Sequence, residues 1–142
     1  MNAVATNPAR THHPNCVACG PDHAQGWRLR FAENADGSVS ATVDCAPGWQ
    51  GYPNRLHGGA IAMLLDAAMT HCLFAHREVA VTAELCVRCR EAVITGSPAR
   101  VRAWLVYSSP RLHRLRAELS QAGRIKAVAT GKFLPFTEGR RR

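Results

Sequence analysis

One stretch of the sequence, from Gly58 to about His76, limits what this chain can fold into more than any other. It contains no proline and no strand-like alternation, and nearly every residue in it is apolar or a good helix former, so it predicts a long helix. Apolar side chains occupy almost every direction around this helix, which predicts that a sheet covers one face and something else, such as a second subunit, covers another. Its only carboxylate is Asp66, and His57 and Gly59 lie at its start.

The segments on either side of this helix alternate apolar and polar residues, which is typical of strands with one buried face. Before the helix, residues 27–31 and 38–45 flank a turn at Asp36 and Gly37 and predict a hairpin. After the helix, four alternating segments predict an antiparallel meander of consecutive strands: residues 79–93, 99–109, 111–121 and 124–136. The sequence therefore predicts an α+β fold in which a curved antiparallel sheet of about six strands wraps one long helix.

A chain of 142 residues is long enough to bury one core, and nothing in the sequence suggests a second. We expect an irregular lead-in rich in proline and glycine over residues 1–26, one domain over residues 27–135 and a basic tail over residues 136–142. The first residues lack the apolar core of a signal peptide, and no apolar run approaches the roughly 20 residues of a membrane span, so a cytoplasmic location is expected. There the six cysteines are expected to be reduced thiols.

The formal net charge of +8 raises the question of a nucleic-acid ligand. The basic residues are spread over the second half of the chain and end in Arg140, Arg141 and Arg142, with no basic stripe interleaved with aromatic residues and no nucleic-acid-binding motif. We therefore expect neither a nucleic-acid nor a membrane partner. The charge is interpreted as attraction for a small anionic ligand, such as a phosphorylated one.

Asp66 and the start of the helix carry the first predictions about chemistry. An ionised carboxylate among apolar side chains is costly unless it is paired, and burial raises its pKa toward the range of a general base; the alternative is a structural ion pair with an arginine. Gly58 and Gly59 allow a substrate to approach N–H groups that a helix leaves unpaired at the positive end of its dipole. A developing oxyanion fits there, and His57 can donate to the same carbonyl or simply fix the start of the helix.

Three segments together make the sequence recognisable: "CVACGPDHAQGWRLRF", "GYPNRLHGGAIAMLLDAAM" and "TAELCVRC". From Cys16 to Leu134 the chain resembles the PaaI-like acyl-CoA thioesterases of the hotdog-fold superfamily. The resemblance implies a hotdog fold, dimers whose sheets join edge to edge and often pair into tetramers, and hydrolysis of acyl-CoA without a cofactor. It also implies that Asp66 is the base or nucleophile, that the Gly58 N–H binds the oxyanion and that His57 assists it.

The resemblance also bears on residues outside the helix. Thr82 stands where related enzymes carry a Ser or Thr that steadies the attacking water, although a strand threonine chosen for β-propensity is the alternative. Many members of the family carry an Asn six residues before the His, and here that position is Gly51. Gln50 and Asn54 are the candidates to replace the missing amide, and the absence of that amide favours a non-catalytic acyl-CoA binding or sensing protein as the alternative function.

Basic residues are expected around the CoA phosphates, with Gly59 beside the thioester. The candidates lie near predicted strand ends or turns: Arg88, Arg90, Arg111 and Arg114. Arg88 and Arg90 are taken as the phosphate ligands. The alternative is that these arginines simply face solvent, as most charged strand residues do. A dehydratase on the same fold is a weaker alternative, because it requires its His and acid in a different motif.

The cysteines suggest a metal site only weakly. Cys16-x-x-Cys19 has His12, His13 and His23 close by, but there is no second Cys-x-x-Cys at a zinc-ribbon spacing, so the segment is interpreted as a structural turn and no metal is expected. Cys86-x-x-Cys89 lies on a predicted strand, where residues three apart point to opposite faces.

Helix geometry makes one further prediction. If Gly58 begins the helix, Asp66 lies about 12 Å away at 1.5 Å per residue, too far for both to contact one thioester carbonyl. A two-fold dimer with antiparallel helices would bring the Asp66 of one subunit to the His57 and Gly58 of the other. We therefore expect a homodimer with active sites shared across its interface.

Overall fold

A computed structural model of the protein describes residues 7–136. The elements in chain order are α1 (Pro8–His12), β1 (Ala32–Glu33), β2 (Val39–Val43), a 3-10 turn (Pro47–Trp49), α2 (Gly58–Ala75), β3 (Ala80–Cys89), β4 (Ala99–Ser108), β5 (His113–Gln121) and β6 (Arg124–Pro135). The strands form one antiparallel six-stranded sheet in the order β1-β2-β4-β5-β6-β3. The predicted α+β arrangement, a long helix on a curved antiparallel sheet, is confirmed.

The strand order differs from the predicted meander of four consecutive strands. Strands β4, β5 and β6 do form a meander, but β3 pairs with β6 at the edge of the sheet and β4 pairs with β2. The reason lies in the β3–β4 connection, which the sequence suggested was a hairpin turn. Residues 90–98 are instead hydrogen-bonded to other parts of the domain. The Leu56 N–H donates to Val93 O, and the Gln121 side-chain amide accepts from the Ile94 N–H and donates to Ile94 O. This connection carries the chain from the sheet edge to its middle.

The predicted hairpin strand over residues 27–31 is also wrong. The strand that pairs with β2 is the short β1, whereas the N–H groups of Trp27 and Leu29 donate to Val17 O and Ala18 O in the lead-in. Arg28 between them has a positive φ of 50°. Alternation at residues 27–31 therefore reflects packing between the lead-in and the core rather than membership of the sheet.

Helix α2 lies against the sheet through side chains that are almost completely buried: Leu64, Leu65, Met69 and Leu73 on the helix, and Val101, Leu115, Leu119 and Phe133 on the strands. Burying each aliphatic side chain of this size contributes about 1.5–3 kcal/mol, so this layer is a main source of stability. The helix is long and apolar enough to cross a membrane, but 67% of it is buried inside the domain. Its apolarity is accounted for by the core that it forms.

The lead-in covers the second face of α2 near its C-terminal end. Five of its residues form α1, Ala9 is fully buried, and the rings of His12 and His13 contact the Phe74 ring with centroids 5.1 and 5.3 Å apart. The described part of the lead-in, residues 7–26, therefore contains a short helix and covers part of the face of α2 for which a second subunit was expected. Residues 1–6 of the predicted lead-in lie outside the described residues. The side of α2 that bears Met63 and Asp66 stays half-exposed. Most of the predicted basic tail, residues 137–142, lies outside the described residues.

Candidate active site

Asp66 and Thr82 form a hydrogen-bonded pair between the long helix and the edge strand. Asp66 lies in the third turn of α2, and Thr82 lies near the start of β3. The Thr82 hydroxyl donates to Asp66 Oδ1 over 2.6 Å, the short distance typical of a hydroxyl bonded to an ionised carboxylate. Within residues 7–136, Asp66 has no arginine partner, so the alternative of a structural ion pair does not apply.

A β-bulge directs Thr82 toward the helix. The pairing of β3 with β6 shifts register between Thr82 and Glu84, which leaves one extra residue in the edge strand. The bulge changes which residues face α2: Ala80 and Thr82 do so before it, and Leu85 does so after it. Bulges of this kind are common beside active sites, because they change where a side chain points without ending the strand.

Burial changes the acidity of Asp66. Removal of its carboxyl from water raises the pKa above the ordinary value of 3.8, while the hydrogen bond from Thr82 and the nearby His13 imidazole lower it. Burial is the largest of these effects, so the carboxylate is a stronger base than an exposed aspartate. A raised pKa on a half-buried carboxyl is the condition expected of a general base.

His57 is the N-cap residue of α2, and its ring has a defined role in the helix start. The ring Nδ1 accepts from the Gly59 N–H over 2.8 Å, and the backbone N–H of His57 donates to Trp49 O. In the neutral ring the proton therefore lies on Nε2, where the exposed imidazole can donate it to a ligand. The helix-fixing interpretation of His57 and the oxyanion interpretation are thus compatible, but the Gly59 N–H is already used inside the chain.

Gly58 differs from Gly59 in that its N–H is unpaired among the described residues and the space around it is empty. Among the described residues its N–H has no hydrogen-bond acceptor, as expected for the first turn of a helix. A Cβ built on Gly58 would meet no atom within 4 Å, whereas one on Gly59 would lie 3.1 Å from His57 Nδ1. No described residue therefore crowds a side chain at position 58, and Gly58 lines an open cavity that a substrate can enter.

A cavity of about 550 Å³ lies beside this helix start. Its lining comes from the loop before α2, the first turn of α2 and the residues after β3: Gly51, Tyr52, Arg55, Leu56, His57, Gly58, Ile61, Cys89, Arg90, Glu91, Ala92 and Val93. Neither Asp66 nor Thr82 is among them. Within one chain, the pair of Asp66 and Thr82 is therefore separate from the cavity at the start of α2.

The two candidates for the missing amide lie in the loop before the helix. The Gln50 side-chain oxygen accepts from the Asn54 N–H over 3.3 Å, and Asn54 has a positive φ of 62°. Both residues therefore shape the loop, and neither lines the cavity. At Gly51, a Cβ would make ordinary contacts of 3.4 Å with the His57 Cα and Cδ2, so that position faces His57 directly.

The structure separates the basic residues that the sequence grouped together. Arg90 lines the cavity and is joined there by Arg55, which sequence reasoning missed. Arg90 also lines a depression on the outer face of the sheet, together with Arg88 and Arg116, so Arg88 lies beside the cavity without lining it. Arg114 lies elsewhere and stacks over the Tyr107 ring at 5.9 Å. Arg55 lies in an irregular loop, and no spacing signal connects it to Arg90.

His13 is a second residue near the site that the sequence did not indicate. Burial and the neighbouring His12 lower the pKa of His13, and the Asp66 carboxylate raises it. The lead-in thus brings an imidazole within electrostatic range of the candidate base. Only tertiary folding places these residues together, because His13 follows α1 and Asp66 lies in α2, far apart in the sequence.

Comparisons with known proteins identify the family and agree with the fold. The family model described as thioesterase superfamily matches residues 54–128, just over half of the chain. No curated protein matches the sequence.

Among solved structures, a protein described as a thioesterase superfamily protein superposes with a TM-score of 0.78 and 25% identity, over 82% of this chain and 61% of its own. The chain thus spans less than two thirds of that relative. The phenylacetic acid degradation protein PaaI of Thermus thermophilus superposes with a TM-score of 0.69 and 22% identity, over 76% of this chain and 93% of its own. The smu.793 protein of Streptococcus mutans UA159, bound to acetyl CoA, superposes with a TM-score of 0.71 and 17% identity, over 76% of this chain and 88% of its own.

Proposed function

The chain belongs to the thioesterase superfamily, and on that premise we propose that it hydrolyses acyl-CoA thioesters to a free acid and CoA. The observation that carries the proposal is the hydrogen-bonded pair of Asp66 and Thr82, a half-buried carboxylate with a raised pKa and a hydroxyl beside it. The acyl-CoA class is supported by the net charge of +8, by Arg55 and Arg90 at the cavity, and by the acetyl CoA bound to the Streptococcus mutans relative.

The hydrogen bonding of Asp66 defines the proposed steps. Thr82 donates its proton to Oδ1, so Oδ2 can accept a proton from a water whose other hydrogen is donated to the Thr82 oxygen. The water oxygen bonds to the thioester carbon, and the oxyanion accepts from the Gly58 N–H. The C–S bond then breaks, and the CoA sulfur takes the proton from Asp66. Direct attack by Asp66, giving an anhydride that water hydrolyses, uses the same residues.

We propose that each active site is shared between two subunits. Among the described residues, the one carboxylate that lines the cavity at His57 and Gly58 is Glu91, which is paired with Arg124 and Lys126. Asp66 does not line this cavity, and the side of α2 that carries it is half-exposed. Strand β3 is an edge strand of ten residues, so its outer row of backbone N–H and C=O groups can pair with another β3. An antiparallel pair of β3 strands aligns the two helices antiparallel and brings each Asp66 toward the other subunit's Gly58.

Gly51 favours a second candidate, an acyl-CoA binding protein with little turnover. The family amide is missing at a position that faces His57, and neither Gln50 nor Asn54 lines the cavity in its place. Such a protein would keep the cavity and the basic residues, but hold the thioester carbonyl less well.

An assay with a panel of acyl-CoAs of increasing chain length separates the two candidates. Free CoA and free acid are measured by chromatography, because the exposed thiols of Cys86 and Cys89 would themselves react with a thiol reagent. Asp66→Asn is the inactive comparison, and Asp44→Asn, at an exposed carboxylate, is the matched control.

We expect the wild type and Asp44→Asn to release CoA and acid in equal amounts, and Asp66→Asn to release at least ~100-fold less. Acyl-CoA that raises the unfolding temperature without releasing CoA identifies the binding protein instead. If no acyl-CoA either raises the unfolding temperature or releases CoA, both candidates are contradicted.

A further inference from the structure

The turn after α1 brings three metal-binding side chains together. The ligand atoms of His13, Cys16 and Cys19 all lie within 4.8 Å of one another, and Cys19 Sγ is 3.6 Å from His13 Nδ1. In a tetrahedral zinc site with Zn–S near 2.3 Å and Zn–N near 2.0–2.1 Å, a sulfur and a nitrogen ligand are about 3.5 Å apart. The observed separation therefore already has the size of one edge of such a site.

The backbone holds this cluster in a compact turn. The Cys16 N–H donates to His13 O over 3.2 Å, and the Gly20 N–H donates to Cys16 O over 2.8 Å. A Cβ at Gly20 would lie 2.3 Å from Cys16 N, so only glycine permits the chain to fold back so closely. The separation of the two cysteines, Cys-x-x-Cys, is typical of structural zinc sites.

The other histidines of the lead-in do not join this cluster. The His12 and His13 rings both contact Phe74, but only His13 lies close to the two cysteines, and His23 Nδ1 accepts from the Gln25 N–H. The second cysteine pair also differs, because Cys86 lines the outer face of the sheet and Cys89 lines the cavity. Of the histidines and cysteines that the sequence places near Cys16-x-x-Cys19, the structure thus brings three together: His13, Cys16 and Cys19.

Simple thiol reactivity does not account for Cys19. The residue is 2% exposed, so reagents in solvent have little access to its thiol. A buried thiol of this kind becomes a thiolate when a metal ion replaces its proton.

We propose that His13, Cys16 and Cys19 bind one zinc ion, with the fourth coordination position open to water or another ligand. Binding forms two Zn–S bonds and one Zn–N bond and releases the two thiol protons to solvent, so the charge of Zn²⁺ is balanced by two thiolates. A zinc ion here reverses the sequence-based expectation of no metal. The ion would fasten the lead-in to α2, because Cys19 and Ala18 are in the core and the His13 ring contacts Phe74.

The test uses the full-length protein, purified without chelators, under reducing conditions and with no histidine tag. Bound zinc is measured by elemental mass spectrometry, and cobalt(II) added to the metal-free protein reports sulfur ligands through thiolate-to-cobalt charge-transfer absorption. Cys16→Ser and His13→Gln each remove one ligand. Cys86→Ser, an exposed cysteine of the other Cys-x-x-Cys, is the matched control.

We expect about one equivalent of zinc in the wild type and in Cys86→Ser, less than a tenth of that in Cys16→Ser and His13→Gln, and a lower unfolding temperature after chelation. Zinc content unchanged in Cys16→Ser overturns the proposal, since the ion then lies elsewhere. Reduced metal-free wild type that takes up neither zinc nor cobalt also overturns it, as does a Cys16–Cys19 disulfide that persists under reduction. If the ligand variants fail to fold, the proposal is tested on the wild type alone, by its zinc uptake and by the thiolate-to-cobalt absorption of its cobalt form.

Discussion

At the scale of single residues, Asp66 combines catalytic value with a cost in stability. Because burial raises its pKa, the folded state binds the Asp66 proton more tightly than the unfolded state does. Stability therefore falls as the pH rises from 3.8 through the folded-state pKa, and at neutral pH the ionised carboxylate is destabilising. We expect Asp66→Asn to lose at least ~100-fold in turnover but to unfold at a higher temperature than the wild type at pH 7.

The gain in stability should disappear in acid, where Asp66 is protonated in the wild type. Thermal unfolding of both proteins between pH 4 and 8, together with the turnover assay, checks both parts. Asp44→Asn is the control, since its carboxylate is exposed. An Asn variant with near wild-type turnover removes Asp66 from the mechanism.

Thr82 acts on the same carboxyl, and its hydrogen bond lowers the pKa of Asp66. Thr82→Val removes the hydroxyl at nearly constant shape, so the pKa of Asp66 should rise and the acid limb of the turnover profile should move to higher pH. A hydrogen bond to a charged group contributes about 1.5–3 kcal/mol, so turnover at neutral pH should fall by about tenfold or more. Thr82→Ser should restore the profile. An unchanged acid limb in Thr82→Val means that Thr82 is only a strand residue.

At the scale of elements, the start of α2 has a glycine that the fold does not require. Gly58→Ala adds a Cβ that meets nothing within 4 Å, and alanine favours a helix over glycine by up to about 1 kcal/mol, so the variant should be at least as stable as the wild type. The same Cβ would stand where the thioester carbonyl approaches the N–H. We expect kcat/KM to fall by about 100-fold, the scale of losing an oxyanion donor.

Gly48→Ala is the matched control, because a Cβ there also meets nothing within 4 Å and Gly48 does not line the cavity. Steady-state kinetics and thermal unfolding on both variants separate activity from stability. Full activity in Gly58→Ala shows that substrate does not approach this N–H.

At the scale of the whole molecule, a shared site has a quantitative consequence. Inactive His57→Ala and inactive Asp66→Asn subunits, unfolded and refolded together, give mixed dimers in which one of the two sites has neither substitution. Random pairing should therefore restore about a quarter of wild-type activity. The measurement is turnover after refolding, with subunit exchange confirmed by mass spectrometry of differently labelled chains. Sites contained in one chain restore no activity, and that result contradicts the shared-site proposal.

The sequence alone determined the features of this protein that depend on near neighbours in the chain. The apolar composition of residues 58–76 predicted α2 to within one residue, because helix formation depends on side chains a few positions apart. Alternation located β2 and the four later strands in the same way. The family resemblance singled out Asp66 as base or nucleophile and Thr82 as the residue that steadies the attacking water, and the structure places these two side chains in contact.

Only the tertiary structure decided which distant segments meet. Alternation marks a strand but does not name its partner, so the pairing of β3 with β6 depended on how residues 90–98 are tied to the rest of the domain. The contact of the lead-in with α2, which brings His13 toward Asp66, likewise has no local signal. Such contacts form because loops close over a shared core. Their free energy comes from burial between segments far apart in the chain, which no local pattern of residues records.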